Sequence, residues 1–398
     1  MRFRFIRHDS PLATAIFTFR AGSLTDAKGR EGISHYLEHV LLDASRNYPD
    51  ETAVSDAFAR LGARTNGGTG FGAVSYHGTC RASKLLDMAA IHCDLISAPL
   101  IRDEDVEREG QIVMSELKDG LDDAMTVFWH KIFEHMLGWA PIIGYESTVP
   151  SVTPIQLRQH YEMFHVGSNL MVTVCGPASI EDEIRTNLAG LQAGSASVAP
   201  APAVKLDDVV MVEPRFGQAC FAIIAPGAPG NASLFRENLV AAVVSNCIAG
   251  PDFSLLFRRL RGELGLTYWV GCSVVRWDSA GAVCVMSQFE PQLMPVVKRE
   301  VATVLENVVK SGVPTDTVEF AKDAMLTAAA ASCETTSGRA GRFESYHLSG
   351  AQGIPDDYSG YETLMGGIEQ TDVDGYVRRV YGRMLDPSAS KTVAMVPA

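Results

Sequence analysis

Two histidines and a glutamate stand close together in an otherwise apolar stretch that runs from Ile33 to Leu42. His35 and His39 are four residues apart, and Glu38 lies between them. On an α-helix, which turns by about 100° per residue, all three side chains project towards one space. Two neutral imidazoles on adjacent turns can bind one zinc ion, and a neighbouring carboxylate can take a proton from water. The spacing therefore predicts a metal site suited to hydrolysis.

The same residues also fit a simpler interpretation, an amphipathic helix with partly exposed histidines. Apolar residues such as Leu37 and Val40 would bury this helix around the polar group. Burial of a polar patch is costly unless its groups are satisfied. We therefore favour the metal site over the amphipathic helix.

A catalytic zinc site with two histidines needs a third protein ligand, which another element must supply. Glu109 and Glu116 are seven residues apart in a long helical pattern that starts at Asp103. Seven residues are almost two helical turns, so both carboxylates project from one face. The charged residues around them fit a solvated helix face equally well. Spacing alone leaves both interpretations open.

Composition limits the classes of partner. The chain has 398 residues, of which 46% are hydrophobic and 20% charged, and its formal net charge is −13. This balance is typical of a soluble globular protein and argues against binding to nucleic acid or to an anionic membrane. The eight cysteines stand singly and predict reduced thiols. The N-terminal segment is typical of a β-strand and lacks the pattern of a signal peptide, so we expect a cytoplasmic protein.

The order of predicted elements suggests a duplicated α+β domain. Strands and helices mix without strict βαβ alternation, and a similar order recurs after a linker rich in alanine and proline near the midpoint. We predict a first domain at 1–192, a linker at 193–204 and a second domain at 205–398. The glycine-rich stretch 62–72 is typical of a hairpin or a bulged strand edge.

The motif His-Tyr-Leu-Glu-His around Glu38, followed 77 positions after His39 by Glu116, resembles the pitrilysin (M16) family of zinc peptidases. That family includes insulin-degrading enzyme and the mitochondrial processing peptidase. The resemblance implies that His35, His39 and Glu116 bind one zinc ion per protomer. It further implies that Glu38 is the general base and that Glu109 is a supporting carboxylate. The segment 144–150 is similar to a turn of the same family.

Two further segments carry the resemblance. Residues 254–268 are similar to the family's L-R-E-x-x-G-L-x-Y segment, which implies that Arg261 and Tyr268 are catalytic residues that hold the substrate; a surface arginine and a tyrosine at the end of a strand are the simpler alternative. Asn66 occupies the place of a strand-edge asparagine beside the scissile bond, which implies substrate binding. The sequence departs from the family at Gly67, where alanine is usual, and at 40–43, where the usual pattern is M-x-F-K/x.

The resemblance implies two homologous domains, each a mostly antiparallel sheet with helices packed on one face. It implies a zinc endopeptidase that cleaves peptides or small unfolded polypeptides in an enclosed chamber. Because one chain carries both the zinc motif and the Arg261/Tyr268 segment, we expect a homodimer, with a heterodimer with a homologous chain as the alternative. A non-catalytic or partner-dependent subunit of a peptidase complex is the rival interpretation. A metal-free α/β binding protein is a third.

Overall fold

The computed structural model describes residues 2–188, 208–228, 234–277, 280–348, 350, 352–355 and 357–397. The predicted linker at 193–204, with the domain limits at 192 and 205, lies outside these residues. Within them, no helix combines the length and the apolar character needed to cross a membrane.

In the described part of the chain, ten strands form two five-stranded sheets with the same topology. The strand order is β1-β5-β2-β4-β3 in the first sheet and β6-β10-β7-β9-β8 in the second. In each sheet the first pair is parallel and the other three pairs are antiparallel. This confirms the predicted α+β class with two homologous, mostly antiparallel sheets. The strands are β1 Arg2–Arg7, β2 Leu12–Phe19, β3 Arg64–Thr69, β4 Val74–Arg81, β5 Leu170–Gly176, β6 Val209–Val212, β7 Ala219–Pro226, β8 Thr267–Trp277, β9 Ala280–Phe289 and β10 Lys391–Val396.

The long pattern from Asp103 is two helices with a break after Leu121, and the π-helical turn Arg258–Glu263 continues a short helix. Strand β6 and helices α12 and α13 were not predicted. The helices are α1 Ile33–Asp43, α2 Glu51–Leu61, α3 Leu85–Ser97, α4 Asp103–Leu121, α5 Ala124–Leu137, α6 Pro154–Phe164, α7 Glu181–Leu188, α8 Phe235–Ile248, α9 Leu255–Phe257, α10 Met294–Ser311, α11 Thr315–Cys333, α12 Thr336–Leu348, α13 Tyr358–Gly366, α14 Gln370–Tyr376 and α15 Gly382–Met384.

The chain forms two compact units, and each includes a helix from the other half of the sequence. The first unit comprises Met1–Asp122, Ala140–Pro200 and Ser332–Leu348. The second comprises Asp123–Trp139, Ala201–Ala331 and Ser349–Ala398. Helix α12 therefore packs in the first unit and helix α5 in the second. A division of the sequence at its midpoint does not anticipate this exchange.

In the first unit, the two faces of β2 differ in character because successive strand residues point to opposite sides. Ala15 and Phe17 are fully buried in the main core, together with Leu37 of α1. On the other face, Thr14 Oγ1 lies 2.8 Å from Thr336 Oγ1 of α12. Helices thus cover both faces of this sheet, whereas the family resemblance implied helices on one face.

Candidate metal centre

Helix α1, which carries the histidines, begins at a tight approach between two chain segments. Gly32 caps the helix with a φ of +94°, and a Cβ there would lie 2.6 Å from the carbonyl oxygen of Ile143. Gly144, with a φ of +84°, packs against Glu31, and Thr148 Oγ1 donates a 2.7 Å hydrogen bond to the Glu31 carbonyl. Glycine tolerates both the positive φ and the close contact. The turn at 144–150 therefore fixes the start of α1.

Helix α1 packs directly against helix α4. The Tyr36 hydroxyl donates a hydrogen bond to the Val106 carbonyl of α4. Gly110 leaves space for this ring, since a Cβ at that position would collide with the hydroxyl. The close approach brings the carboxylates of α4 within reach of the histidines of α1.

The structure brings His35, His39 and Glu116 together. The Nε2 atoms of both histidines lie 3.5 Å from Glu116 Oε2, and one ligand atom from each of the three residues lies within 4.8 Å of the other two. Burial lowers the pKa of His35 to about 4, so its imidazole is neutral and able to bind a metal. Contact with His39 holds the pKa of Glu116 below its usual value. Two imidazoles and an ionised carboxylate are a donor set that fits zinc.

Glu109 orients the second histidine. Its Oε2 lies 3.3 Å from His39 Nδ1, so the Nδ1–H donates to this carboxylate and Nε2 faces the site. Burial alone would lower the pKa of His39, but contacts with Glu109 and Glu116 outweigh it and raise the pKa to about 10. In the metal-free chain His39 is therefore protonated, and a metal ion must displace this proton.

Glu38 is buried next to the histidines and faces the edge strand β3. Its Oε2 accepts a 2.9 Å hydrogen bond from Thr69 Oγ1. Gly67 of the same strand leaves space for the carboxylate, because a Cβ there would collide with Glu38 Oε1. Burial raises the pKa of Glu38, while the Thr69 hydrogen bond acts in the opposite direction. The glycine that departs from the family pattern thus contacts the candidate base.

Asn66 lies on the same edge strand but points the other way. It is exposed, and its Oδ1 accepts a 3.0 Å hydrogen bond from the Gly67 amide. Because strand residues alternate between faces, its side chain lies on the face opposite Glu38. The structure therefore does not bring Asn66 into the metal centre itself.

Arg261 and Tyr268 are neighbours in the second unit. The Arg261 guanidinium lies 4.6 Å from the centre of the Tyr268 ring and 4.9 Å from that of Phe257. The Tyr268 side chain is 80% exposed. The two predicted residues thus form a cation–π pair at the surface of their own unit.

Sequence reasoning missed two residues behind the metal centre. Asp43 ends α1 one turn after His39, and Arg108 of α4 donates a 2.7 Å hydrogen bond to it. The position of Asp43 at i+4 from His39, and that of Arg108 next to Glu109, were the available signals. Only the packing of α1 on α4 shows that they meet.

A buried network under the first turn of α1 was also missed. Ser34 Oγ hydrogen-bonds Asp26 and lies 3.0 Å from His160 Nε2. Its residue types are those of a serine hydrolase triad, but Ser34 is fully buried and its aspartate contacts the serine rather than the histidine. The arrangement therefore stabilises the start of α1 and does not form a nucleophile.

The fold and this donor set define a two-domain α+β protein with a candidate zinc centre. Residues 6–134 match the model for insulinase (peptidase family M16), and residues 151–325 match that for the peptidase M16 inactive domain. The chain therefore belongs to the M16 peptidase family.

Relatives agree with this assignment. An uncharacterized zinc protease of Streptomyces coelicolor is 24% identical over 91% of this chain and 81% of its own length. A protease from Helicobacter pylori has a similar structure, with a TM-score of 0.87, 15% identity and coverage of 99% of this chain and 96% of that one. A Pseudomonas fluorescens structure described as a peptidase M16 inactive domain gives a TM-score of 0.86 at 16% identity. The match covers 100% of this chain and 95% of that one. These structural likenesses show the fold.

The second half of the chain lacks the histidines of the first. Helix α8 follows β7 as α1 follows β2, but its sequence contains no histidine. Beyond His165 the sequence holds a single histidine, His347. A second site with two histidines therefore cannot form in this half, which agrees with its match to the inactive domain.

Proposed function

We propose that the chain is a zinc-dependent endopeptidase that hydrolyses peptides or small unfolded polypeptides. The observation that carries the proposal is the convergence of His35 and His39 Nε2 on Glu116 Oε2 at 3.5 Å, with Glu38 buried beside them. His35, His39 and Glu116 would hold one zinc ion per protomer. When bound, zinc supplies Lewis-acid activation of the substrate carbonyl and of water.

The protein's own groups would move the proton. Glu38 accepts a proton from the attacking water and returns it to the leaving amine as the peptide bond breaks. The hydrogen bond from Thr69 fixes the direction in which this carboxylate points. Glu109 keeps the Nδ1–H of His39 occupied, so that Nε2 stays available as a ligand.

The edge strand β3 offers a place for an extended peptide. It pairs with β4 on one side only, and its other edge is open among the described strands. An extended substrate can add to such an edge through main-chain hydrogen bonds, which suit peptides of varied sequence. We assign Asn66 to substrate binding on this strand, while Thr69 holds Glu38 from the same strand.

Arg261 and Tyr268 are proposed to steady the oxyanion that develops during hydrolysis. A homodimer would let the second domain of one protomer supply this pair to the zinc domain of the other and would enclose the site in a chamber. Exclusion of bulk water would strengthen the electrostatic interactions there.

A partner-dependent or non-catalytic subunit is the alternative function. It is favoured by the match of the second half to a domain described as inactive and by the exposure of Tyr268. Such a subunit would bind zinc but show no activity until a homologous chain is added.

The test combines metal analysis with digestion of a peptide library. We expect about one zinc per chain and cleavage of internal peptide bonds. Glu38→Gln should keep the zinc and lose roughly 10²- to 10⁴-fold in activity, since a general base contributes this much. Glu107→Gln, an exposed carboxylate on α4, is the matched control and should behave as wild type. Full turnover by Glu38→Gln would exclude the proposed mechanism, and zinc binding without cleavage would favour the alternative.

A further inference from the structure

Arg108 contacts three carboxylates behind the metal centre. Its Nη2 donates to Asp43 Oδ2 at 2.7 Å and its Nη1 to Asp105 Oδ1 at 3.2 Å. Its Nε lies 3.4 Å from Glu109 Oε1. One oxygen of Glu109 thus contacts the Arg108 guanidinium, while the other accepts the hydrogen bond from His39 Nδ1.

The carboxylates around Arg108 are buried, so their charges need a partner. The side chains of Asp43, Asp105 and Glu109 are 8%, 2% and 6% exposed. Asp43 and Glu109 also contact each other. Two buried carboxylates in contact repel each other, and removal of the guanidinium beside them would turn one of them away.

We propose that Arg108 is a positioning residue for the metal centre: together with Asp43, it holds Glu109 in the orientation in which Glu109 fixes His39. The inference rests on the proposed zinc site. A planar guanidinium suits the task because it can contact several carboxylates at fixed angles, which a lysine cannot do.

Arg102 provides a matched comparison. It also pairs with Asp105, through hydrogen bonds of 2.6 and 3.0 Å, and lies 3.5 Å from Glu104. In the described part of the chain, its ion pairs do not include Asp43 or Glu109. Loss of Arg102 therefore removes a cation from the same cluster without releasing the carboxylate that orients His39.

The experiment measures the dissociation constant of Zn²⁺ by competition with a chromophoric chelator, on full-length protein stripped of metal. Arg108→Gln should weaken zinc binding about 10-fold, at the lower end of the effect of direct outer-shell partners. Arg102→Gln should stay within about 2-fold of wild type, because its contacts do not reach the ligands. Adding Asp43→Asn to Arg108→Gln should recover part of the loss, since it removes the repulsion on Glu109.

Thermal unfolding of the metal-free variants separates positioning from stability. If Arg108→Gln does not fold, Arg108→Lys takes its place. This variant should weaken zinc binding by about 3-fold, because a compact ammonium group replaces the planar guanidinium. Equal zinc affinity in the Arg108 and Arg102 variants would overturn the inference while leaving the zinc site intact. Absence of zinc binding in the wild type would instead overturn the proposed metal centre, and this inference with it.

Discussion

Thr69 Oγ1 donates a 2.9 Å hydrogen bond to Glu38 Oε2, which joins the edge strand β3 to the carboxylate next to the histidines of the candidate metal centre. The strand that we propose binds the substrate thus also holds the proposed base. A change in this strand can therefore affect the chemistry without touching a metal ligand.

We expect Gly67→Ala to lower peptidase activity by about 10- to 100-fold at unchanged zinc content, because a displaced catalytic group costs on the order of 10²-fold. The new methyl group would collide with Glu38 Oε1. Gly68→Ala is the control, since the nearest atom to its new Cβ is Ser75 Oγ at 3.9 Å. Steady-state kinetics with one fluorogenic peptide compares the two. Similar rates for both variants would show that Gly67 is not needed for the placement of Glu38.

Zinc binding should stabilise the fold, and His39→Ala should abolish this effect. A ligand present at 100 times its dissociation constant stabilises a protein by about 2.7 kcal/mol, which would appear as a higher melting temperature. Loss of one of three ligands removes tight binding. His130→Ala, on α5, is the control and should keep the zinc-dependent shift. A full equivalent of tightly bound zinc in His39→Ala would contradict the ligand assignment.

Acid should destabilise the metal-free protein through its buried histidines. Burial lowers the pKa of His92, which stacks on Phe17 at 5.4 Å, to about 4. Between the ordinary histidine pKa of about 6.5 and pH 4, the unfolded chain binds a proton that the native state does not, so stability falls as the pH decreases through this range.

Urea unfolding at pH 7 and pH 5 measures this effect. Between pH 7 and pH 5 the free energy of unfolding of the wild type should fall by about 2 kcal/mol more than that of His92→Phe. This follows from the lowered pKa of His92 at about 1.4 kcal/mol per pH unit. The control is His135→Gln, which should follow the wild type. An unchanged pH dependence in His92→Phe would show that His92 does not contribute.

The proposed homodimer predicts that two inactive variants restore each other. Glu38→Gln and Tyr268→Phe would each inactivate both sites of a dimer in which protomers share their sites. A mixed dimer has one site with both changes and one with neither, so activity should return once subunits exchange. Exchange is verified by mass labelling, and each variant is first shown to be inactive. A mixture that exchanges but stays inactive would favour a heteromeric partner or sites completed within one chain.

Local spacing in the sequence determined much of this protein. The four-residue interval between His35 and His39 and the seven-residue interval between Glu109 and Glu116 fixed which side chains share a helix face, because helical phase depends on near neighbours alone. These features need no information from distant parts of the chain.

The tertiary structure decided the contacts between elements. That Thr69 meets Glu38, and that Arg108 meets Asp43, depends on how α1 packs against β3 and α4, which no local spacing encodes. Helix α12 was not predicted because glycines and polar residues weaken its amphipathic pattern. It packs on β2 and β5 of the first sheet, which are far away in sequence. Tertiary packing stabilises such a helix more than its own propensity does. The sequence and its family resemblance thus pointed to the candidate metal ligands and to Glu109, while the contacts of Thr69, Asp43 and Arg108 are visible only in the tertiary structure.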